Sequence, residues 1–579
     1  MACTSLSPQQ PAPSLDSAFR KTLQIREEKT MSTVVTTTVP AILGYCSFPQ
    51  QWQLTLLLAL VVPLLFLLLQ AAAATMSRRR SWRSRKGRRL LLPPGPPRLP
   101  ILGNLHQLGA LPHQSLRDLA RRHGAVMLLR LGSVPTVVVS SSAAAREVMK
   151  AHDADCCSRP DTAGARRLSY GHKDVAFAPY SEYWREMRKL FVVEFLSVRR
   201  VQAATYAREA EVEKLMGRLS RAGGTPVFLE DHIFGLMDGV IGTVAFGNIY
   251  GTEQFAHKKH FHEVLDEAMS AKAGFSAEDY FPNAAGRAVD HLTGAAARRE
   301  RVFRDLDAFF DVIIDQHLDP SRATPEHGPD LIDAFVALLI KDKERRRHRQ
   351  AEDSSSPGPG FFTRDHMKGL LSNVFTASVD TSSVTMVWAM AELIRKPWLL
   401  RKVQEEIRDV VGDNKERVQP DDMPKLRYLK MVVKETLRLH PAVPLLLPRE
   451  TMRDVRICGY DVPAKTRILV NAWAIGRDPA SWDKPEEFDP DRFEASDVEF
   501  NGTHFELVPF GAGRRMCPGM NMGIATVEFT LANLLYCFDW ELPDGVSIED
   551  VSMEEAGGLT VHKKKPLVLV PTRYCKCQC

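Results

Sequence analysis

At 579 residues the chain is longer than one ordinary hydrophobic core requires, so it holds either several domains or one unusually large one with room for a buried cofactor. Its 76 Lys and Arg against 70 Asp and Glu leave a net charge of +6, too small a bias to argue for nucleic acid. Ten cysteines without a CxxC pair are too sparse for a disulfide scaffold, which points to a reduced, cytosol-facing body.

Residues 1–53 are polar, rich in Ser, Thr and Pro, and give no fold signal; Met31 opens an uncharged stretch, and residues 1–30 are expected to be dispensable. Leu54 to Ala74 carries no charge over 21 residues, enough to span about 30 Å of hydrocarbon as one helix. The run RRRSWRSRKGRR, Arg78 to Arg89, follows with eight basic residues and no acid. That order predicts a single-pass anchor with the body on the positive, cytosolic side, because a cleaved signal peptide carries its basic residues first. Residues 75–97 combine this stop-transfer segment with the cluster Pro93, Pro94, Gly95, Pro96 and Pro97, a stiff elbow that cannot continue a helix.

Beyond the elbow, apolar residues spaced three and four apart predict helices over Leu196–Leu219, Ala295–Leu318, Thr363–Lys396, Trp398–Val411 and Pro424–His440. Strand-like runs are short: VMLLRLG, PTVVVS, TRILVNAWAI and PLVLVP. Lys341 to Gly360, charged and then rich in Ser, Pro and Gly, reads as a surface loop. The expected fold is mainly α with small β-sheets, one large domain over 98–571, with a flexible Cys-rich tail at 572–579.

The chemistry concentrates at PFGAGRRMCPG, Pro509 to Gly519. A cysteine thiolate is a strong axial ligand for haem iron and favours O–O cleavage. Gly511, Gly513 and Gly519 allow tight turns and close approach to a flat macrocycle, Phe510 can pack beside it, and Arg515 can meet a propionate. A helix predicted to start near Cys517 would aim N–H groups at the sulfur.

Phe510, Gly513, Arg515, Cys517 and Gly519 match FxxGxRxCxG, and on that match the chain resembles the cytochrome P450 monooxygenases. Further stretches agree in order. In KETLR, Glu435 and Arg438 resemble the family's ExxR pair, and Arg492 of FDPDRF resembles the third member of that network. Trp184 and Arg188 of WREMRK, and Arg449 of LLLPRE, resemble the family's propionate partners. ASVDTS resembles its oxygen-binding motif, with Asp380 and Thr381 suited to proton relay and Ser378 standing where Gly is usual. The Ser378 hydroxyl has two places to go: back to the Val374 carbonyl, or into the pocket. Thr381 has a bland alternative too, a hydroxyl bonded to its own helix.

The anchor and elbow place the resemblance in the plant microsomal A-type group. It implies haem b held by Cys517, dioxygen as co-substrate, and NADPH supplying electrons through a reductase that docks on a basic face including Arg188, Lys189 and Arg514. It further implies a monomer in the endoplasmic reticulum membrane and no nucleic acid partner. The largely apolar pocket segments, with Val379, Val443, Leu445 and Leu446, suggest a small to medium hydrophobic plant metabolite of aldoxime, terpenoid or phenolic/amine type. Several stretches, GVIGTVAFG among them, are similar to aldoxime-metabolising members. The Ser378 departure keeps two alternatives open: a haem-binding membrane partner without turnover, and an oxygen-independent dehydratase or isomerase.

Overall fold

The computed structural model describes residues 90–247, 267–268, 276–322, 327–352, 362–412 and 414–574. The expected anchor at 54–74, the basic run and the CKCQC tail lie outside them. Among the described residues no helix is long and apolar enough to cross a membrane.

The architecture is the expected one, helices with small sheets. Helices α1 (Glu182–Phe191), α2 (Leu229–Phe246), α3 (Arg364–Arg395), α4 (Arg427–Leu439) and α5 (Met520–Cys537) frame the site. Of the 11 described strands, β1 (Val126–Leu131), β2 (Val134–Val139), β4 (Arg449–Glu450) and β7 (Arg467–Val470) form one sheet in the order β1-β2-β7-β4. The β2–β7 pair is parallel. A second sheet orders β3 (Val227–Phe228), β11 (Val568–Arg573) and β8 (Phe538–Glu541), bringing the chain's end back to the start of α2. Hairpins β5–β6 (Val455–Ile457, Tyr460–Val462) and β9–β10 (Glu555–Ala556, His562–Lys563) complete the set.

The 32-residue α3 runs through the core, packed on α2, α4 and α5. Thr363 caps it, its N–H donating to His366 Nδ1 (3.1 Å), and Lys396 ends it before Pro397. From Ser382 to Ile394 every residue is buried, so this segment is packed all round rather than on one face. Asn373 ties it to the loop before α1: its Oδ1 accepts from Val175 N and Ala176 N, both at 3.1 Å. The described part of the proline elbow lies on β1, with Leu128 N–H donating to Pro94 O at 2.8 Å. A side chain at Gly95 would meet Leu128 O at 2.1 Å, so the close approach needs glycine.

The structure corrects several sequence expectations. The helix expected over Leu196–Leu219 is broken: a π-turn covers Val192–Leu196, Ser197 is extended (ψ 152°), and helices follow at Val198–Ala203 and Thr205–Ala222. The expected loop from Lys341 is helical as far as Glu352, within Leu331–Glu352. Lys, Glu, Arg, Gln and Ala are good helix formers, and no Pro or Gly interrupts before Pro357. Pro420–Lys425 is a 3-10 turn, and α4 begins only after it. In TRILVNAWAI the strand stops at Val470 and Ala472–Ile475 turns helical, capped by Asn471.

Candidate active site

The loop before α5 is built around its glycines. Gly511 (φ 66°) and Gly513 (φ 68°) take left-handed conformations, and a Cβ on Gly513 would meet Met149 O at 2.3 Å. Gly519 differs from its expected turning role: its φ is −91° and it serves as the N-cap of α5. Cys517 N–H donates to Phe510 O (2.9 Å), closing the loop beneath the sulfur.

Cys517 opens onto a cavity of about 310 Å³ between this loop and α3. Its accessible surface faces that cavity and not bulk water, so burial pushes the thiol up, opposed by the Gly519 and Met520 N–H groups and by Arg188. The start of α5 thus aims backbone donors at the sulfur, the arrangement that stabilises a thiolate.

Four arginines and no carboxylate stand in the cavity wall: Arg159, Arg188, Arg449 and Arg515. Each is held by backbone carbonyls. Arg515 donates through Nε to Cys157 O (2.7 Å) and through Nη2 to Ala178 O (2.7 Å), and burial pulls it down to about 9. Arg449 donates to Asp153 Oδ1 (3.0 Å) and Ala512 O (2.8 Å), and Arg188 to Met516 O. Arg159, not singled out in the sequence, donates to Ala176 O (2.9 Å), Leu447 O (2.8 Å) and Pro448 O (2.7 Å). Burial first, then Arg515 and Arg449, hold its pKa well below the usual arginine range. Its only sequence signal was a lone Arg before Pro160.

Trp184 does not reach the cavity wall. Its indole N–H donates to Val175 O (2.9 Å), and its ring backs Arg515 (4.0 Å) and Arg188 (5.5 Å), so it braces two guanidiniums of the wall. Arg188 points into the cavity, which corrects its expected place on an outer docking face; Lys189 is exposed, and Arg514 is half-exposed and paired with Asp153 (3.1 Å). Phe510 lines the cavity and packs edge-on to Phe500.

On the opposite side α3 presents Ser378, Thr381, Ser382 and Thr385 to the same cavity. Thr381 Oγ1 donates to Ala377 O (2.6 Å), the bland alternative for this hydroxyl. Asp380 turns away from the wall, accepts a hydrogen bond from Thr560 and has His562 Nε2 at ion-pair distance, 2.9 Å from its Oδ1. Among the described residues Ser378 shows no bond to Val374, whereas Thr376, Thr381 and Thr385 all bond back to their own helix. Val443, Leu446, Leu559 and Ile241 add apolar wall, while Leu445 and Val379 pack into neighbouring cores.

Away from the cavity, the structure brings Glu435, Arg438 and Arg492 together. Arg438 clasps Glu435 with two bonds of 2.7 Å, both side chains fully buried, and Arg492 Nε donates to Glu435 Oε1 (3.0 Å).

A wall holding four arginines, three of them buried, and a cysteine, with no acid, fits a flat cofactor bearing two carboxylates and an iron that takes sulfur. The cytochrome P450 family profile matches residues 93–570. This chain belongs to the cytochrome P450 family. It is 59% identical over 546 residues (93% of this chain, 99% of the relative) to a 4-hydroxyphenylacetaldehyde oxime monooxygenase of Sorghum bicolor. To a 2-methylbutanal oxime monooxygenase of Manihot esculenta it is 46% identical over 529 residues, 91% of this chain and 98% of that one. A zebra fish cytochrome P450 solved with progesterone superposes at TM-score 0.66 and 26% identity, covering 80% of this chain and 99% of that one. The protein is a P450 monooxygenase, with haem b as cofactor, dioxygen as co-substrate and NADPH electrons delivered through a reductase.

Proposed function

We propose that this P450 oxidises a small to medium aldoxime. Two relatives that align over nearly their whole length are both named oxime monooxygenases, and this is the observation that carries the reading. The cavity is consistent with it. An aldoxime has a hydrocarbon body and one N–OH group, and the wall is apolar at Ile241, Val443, Leu446 and Leu559 with hydroxyls at Ser378 and Thr560.

Haem b, bound through Cys517, supplies the oxygen activation. Arg159, Arg188, Arg449 and Arg515 would hold its propionates, and Trp184 keeps two of them in place. Gly519 and Met520 stabilise the sulfur, while Asp380 and Thr381 are the groups for moving protons on the α3 side. Glu435, Arg438 and Arg492 lock the loops beneath the site.

Residues 54–74 serve in this reading as a membrane anchor, 1–53 as an extension, 75–97 as stop-transfer and elbow, 98–571 as the haem domain and 572–579 as a tail. The uncharged span followed by eight basic residues supports an endoplasmic reticulum location with the domain in the cytosol, monomeric and served by the reductase.

The test is a spin-shift binding screen of the purified protein across aldoximes, terpenoids and phenolic amines, followed by turnover with reductase and NADPH. Aldoxime binding and NADPH-dependent product are expected. A second reading, oxygen-independent dehydration or isomerisation, is favoured by Ser378 in the oxygen-motif glycine position, and product formed without oxygen or NADPH would establish it instead.

A further inference from the structure

Asp380 lies beside the cavity, yet its carboxylate is engaged on the side away from it. Oδ1 is 2.9 Å from His562 Nε2, Oδ2 accepts from Thr560 Oγ1, and Thr560 and His562 are themselves 3.2 Å apart. Thr560 precedes β10 and His562 opens it, about 180 residues further along the chain. The three groups differ in what they face. Thr560 is buried and stands in the cavity wall, whereas the His562 side chain is 39% exposed and that of Asp380 only 17%. His562 also stacks on Phe234 of α2 (5.9 Å, 16°). Glu230 of the same helix and Lys563 are charged groups near it, and Lys563 donates to Ser552 O.

We propose that His562 and Thr560 are a proton inlet that connects solvent to the cavity through Asp380. In this inlet the His562 imidazolium gives the proton on Nε2 to Asp380 Oδ1, and recovers one from water. The Thr560 hydroxyl turns from Oδ2 toward the cavity, the Asp380 carboxyl rotates to bring its Oδ1–H to Thr560 Oγ1, and that proton passes to Oγ1 as the Thr560 hydroxyl releases its own proton to a water in the cavity. One proton enters per cycle, and no bond other than O–H and N–H bonds is made or broken. His562 acts through Asp380, so it is a positioning and relay residue, not a catalytic one. The inlet rests on the monooxygenase class and not on the aldoxime reading.

The experiment uses the full-length haem-loaded protein with reductase. In His562→Gln and Thr560→Val, oxygen-dependent NADPH oxidation is expected to fall by about a hundredfold, the low side of a general acid contribution. Its solvent deuterium isotope effect should rise, while haem reduction trapped by carbon monoxide keeps the wild-type rate. Thr560→Ser, which retains the hydroxyl, should behave as wild type. NADPH oxidation is measured with and without 4-hydroxyphenylacetaldehyde oxime, so a wild type that ignores the oxime tells against the substrate reading and leaves the inlet testable. A readout independent of turnover is the ¹⁵N-histidine spectrum of the carbon monoxide complex, where Asp380→Asn should shift the His562 resonance. Wild-type rates and isotope effects in both His562→Gln and Thr560→Val, or an unmoved His562 resonance in Asp380→Asn, overturn the proposal.

Discussion

Replacing Glu435 with alanine is the most demanding test of how the fold beneath the haem site is held. Glu435 accepts four hydrogen bonds, two from Arg438, one from Asp489 N (2.7 Å) and one from Arg492. With the carboxylate gone, Arg438 keeps Gly476 O (2.6 Å), Pro485 O (2.7 Å) and Glu487 O (2.8 Å), while Nε, one Nη2 hydrogen and the charge lose the partner that Glu435 supplied. A buried ion left without its counter-ion costs about 3–5 kcal/mol, a large part of the roughly 5–15 kcal/mol that holds a domain together. Arg492→Ala is the internal comparison. It leaves the Glu435–Arg438 pair intact, and Arg492 is partly open to solvent, so the loss is nearer one charge-assisted bond, about 1.5–3 kcal/mol. The assay is thermal unfolding of the haem-loaded protein, followed by loss of the reduced carbonyl band. Glu435→Ala should accumulate little haem-loaded protein and melt well below Arg492→Ala. A Glu435→Ala protein that loads haem and melts like wild type, or one less damaged than Arg492→Ala, would refute the reasoning.

Cys517→Ala should abolish the thiolate-type carbonyl spectrum of the reduced protein, and retention of that spectrum would remove Cys517 as the iron ligand. Ser378→Gly should keep haem binding but change the fraction of NADPH consumption that ends in peroxide, with Thr381→Ala raising peroxide as the control; unchanged coupling and substrate preference would make the serine a passive replacement. Burial pushes Glu528 up to about 7. Its folded pKa is therefore raised, so its contribution to stability is full below the unfolded carboxylate range and is lost as pH rises from about 4.5 to 7. Glu528→Gln should accordingly melt higher than wild type at pH 8 and no higher near pH 4.5, as a pair of melting curves will show.

What was legible in the sequence was chemistry fixed by short spacing. Cys517 with its glycines, and Glu435 three residues before Arg438, carry their geometry in a single turn or loop, so the residue types alone imply the contacts. Arg159 was not legible, because its importance comes from carbonyls at Leu447 and Pro448, almost three hundred residues away. His562 and Thr560 were hidden for the same reason, being brought to Asp380 only when the chain returns along β10. The helix reaching Glu352 was misread for a different cause: its charged sequence resembles a solvated loop until helix propensity is weighed against the absence of breakers.

The cavity is divided by charge, and this division explains which residues tolerate change. On one side stand four arginines, pinned by carbonyls and braced by Trp184, with the sulfur facing the first turn of α5. Their mutual repulsion is relieved when an anionic cofactor binds, so the loaded site is more stable than the arginines alone would allow. On the other side the wall threonines of α3 spend their hydroxyls on their own helix, whereas among the described residues the wall serines Ser378 and Ser382 show no such back-bond. Losing a cation from the first side therefore weakens cofactor retention whatever the substrate. Altering a hydroxyl on the second side leaves the haem in place and changes only what reaches it, which is why Ser378→Gly is read by coupling and Cys517→Ala by spectrum.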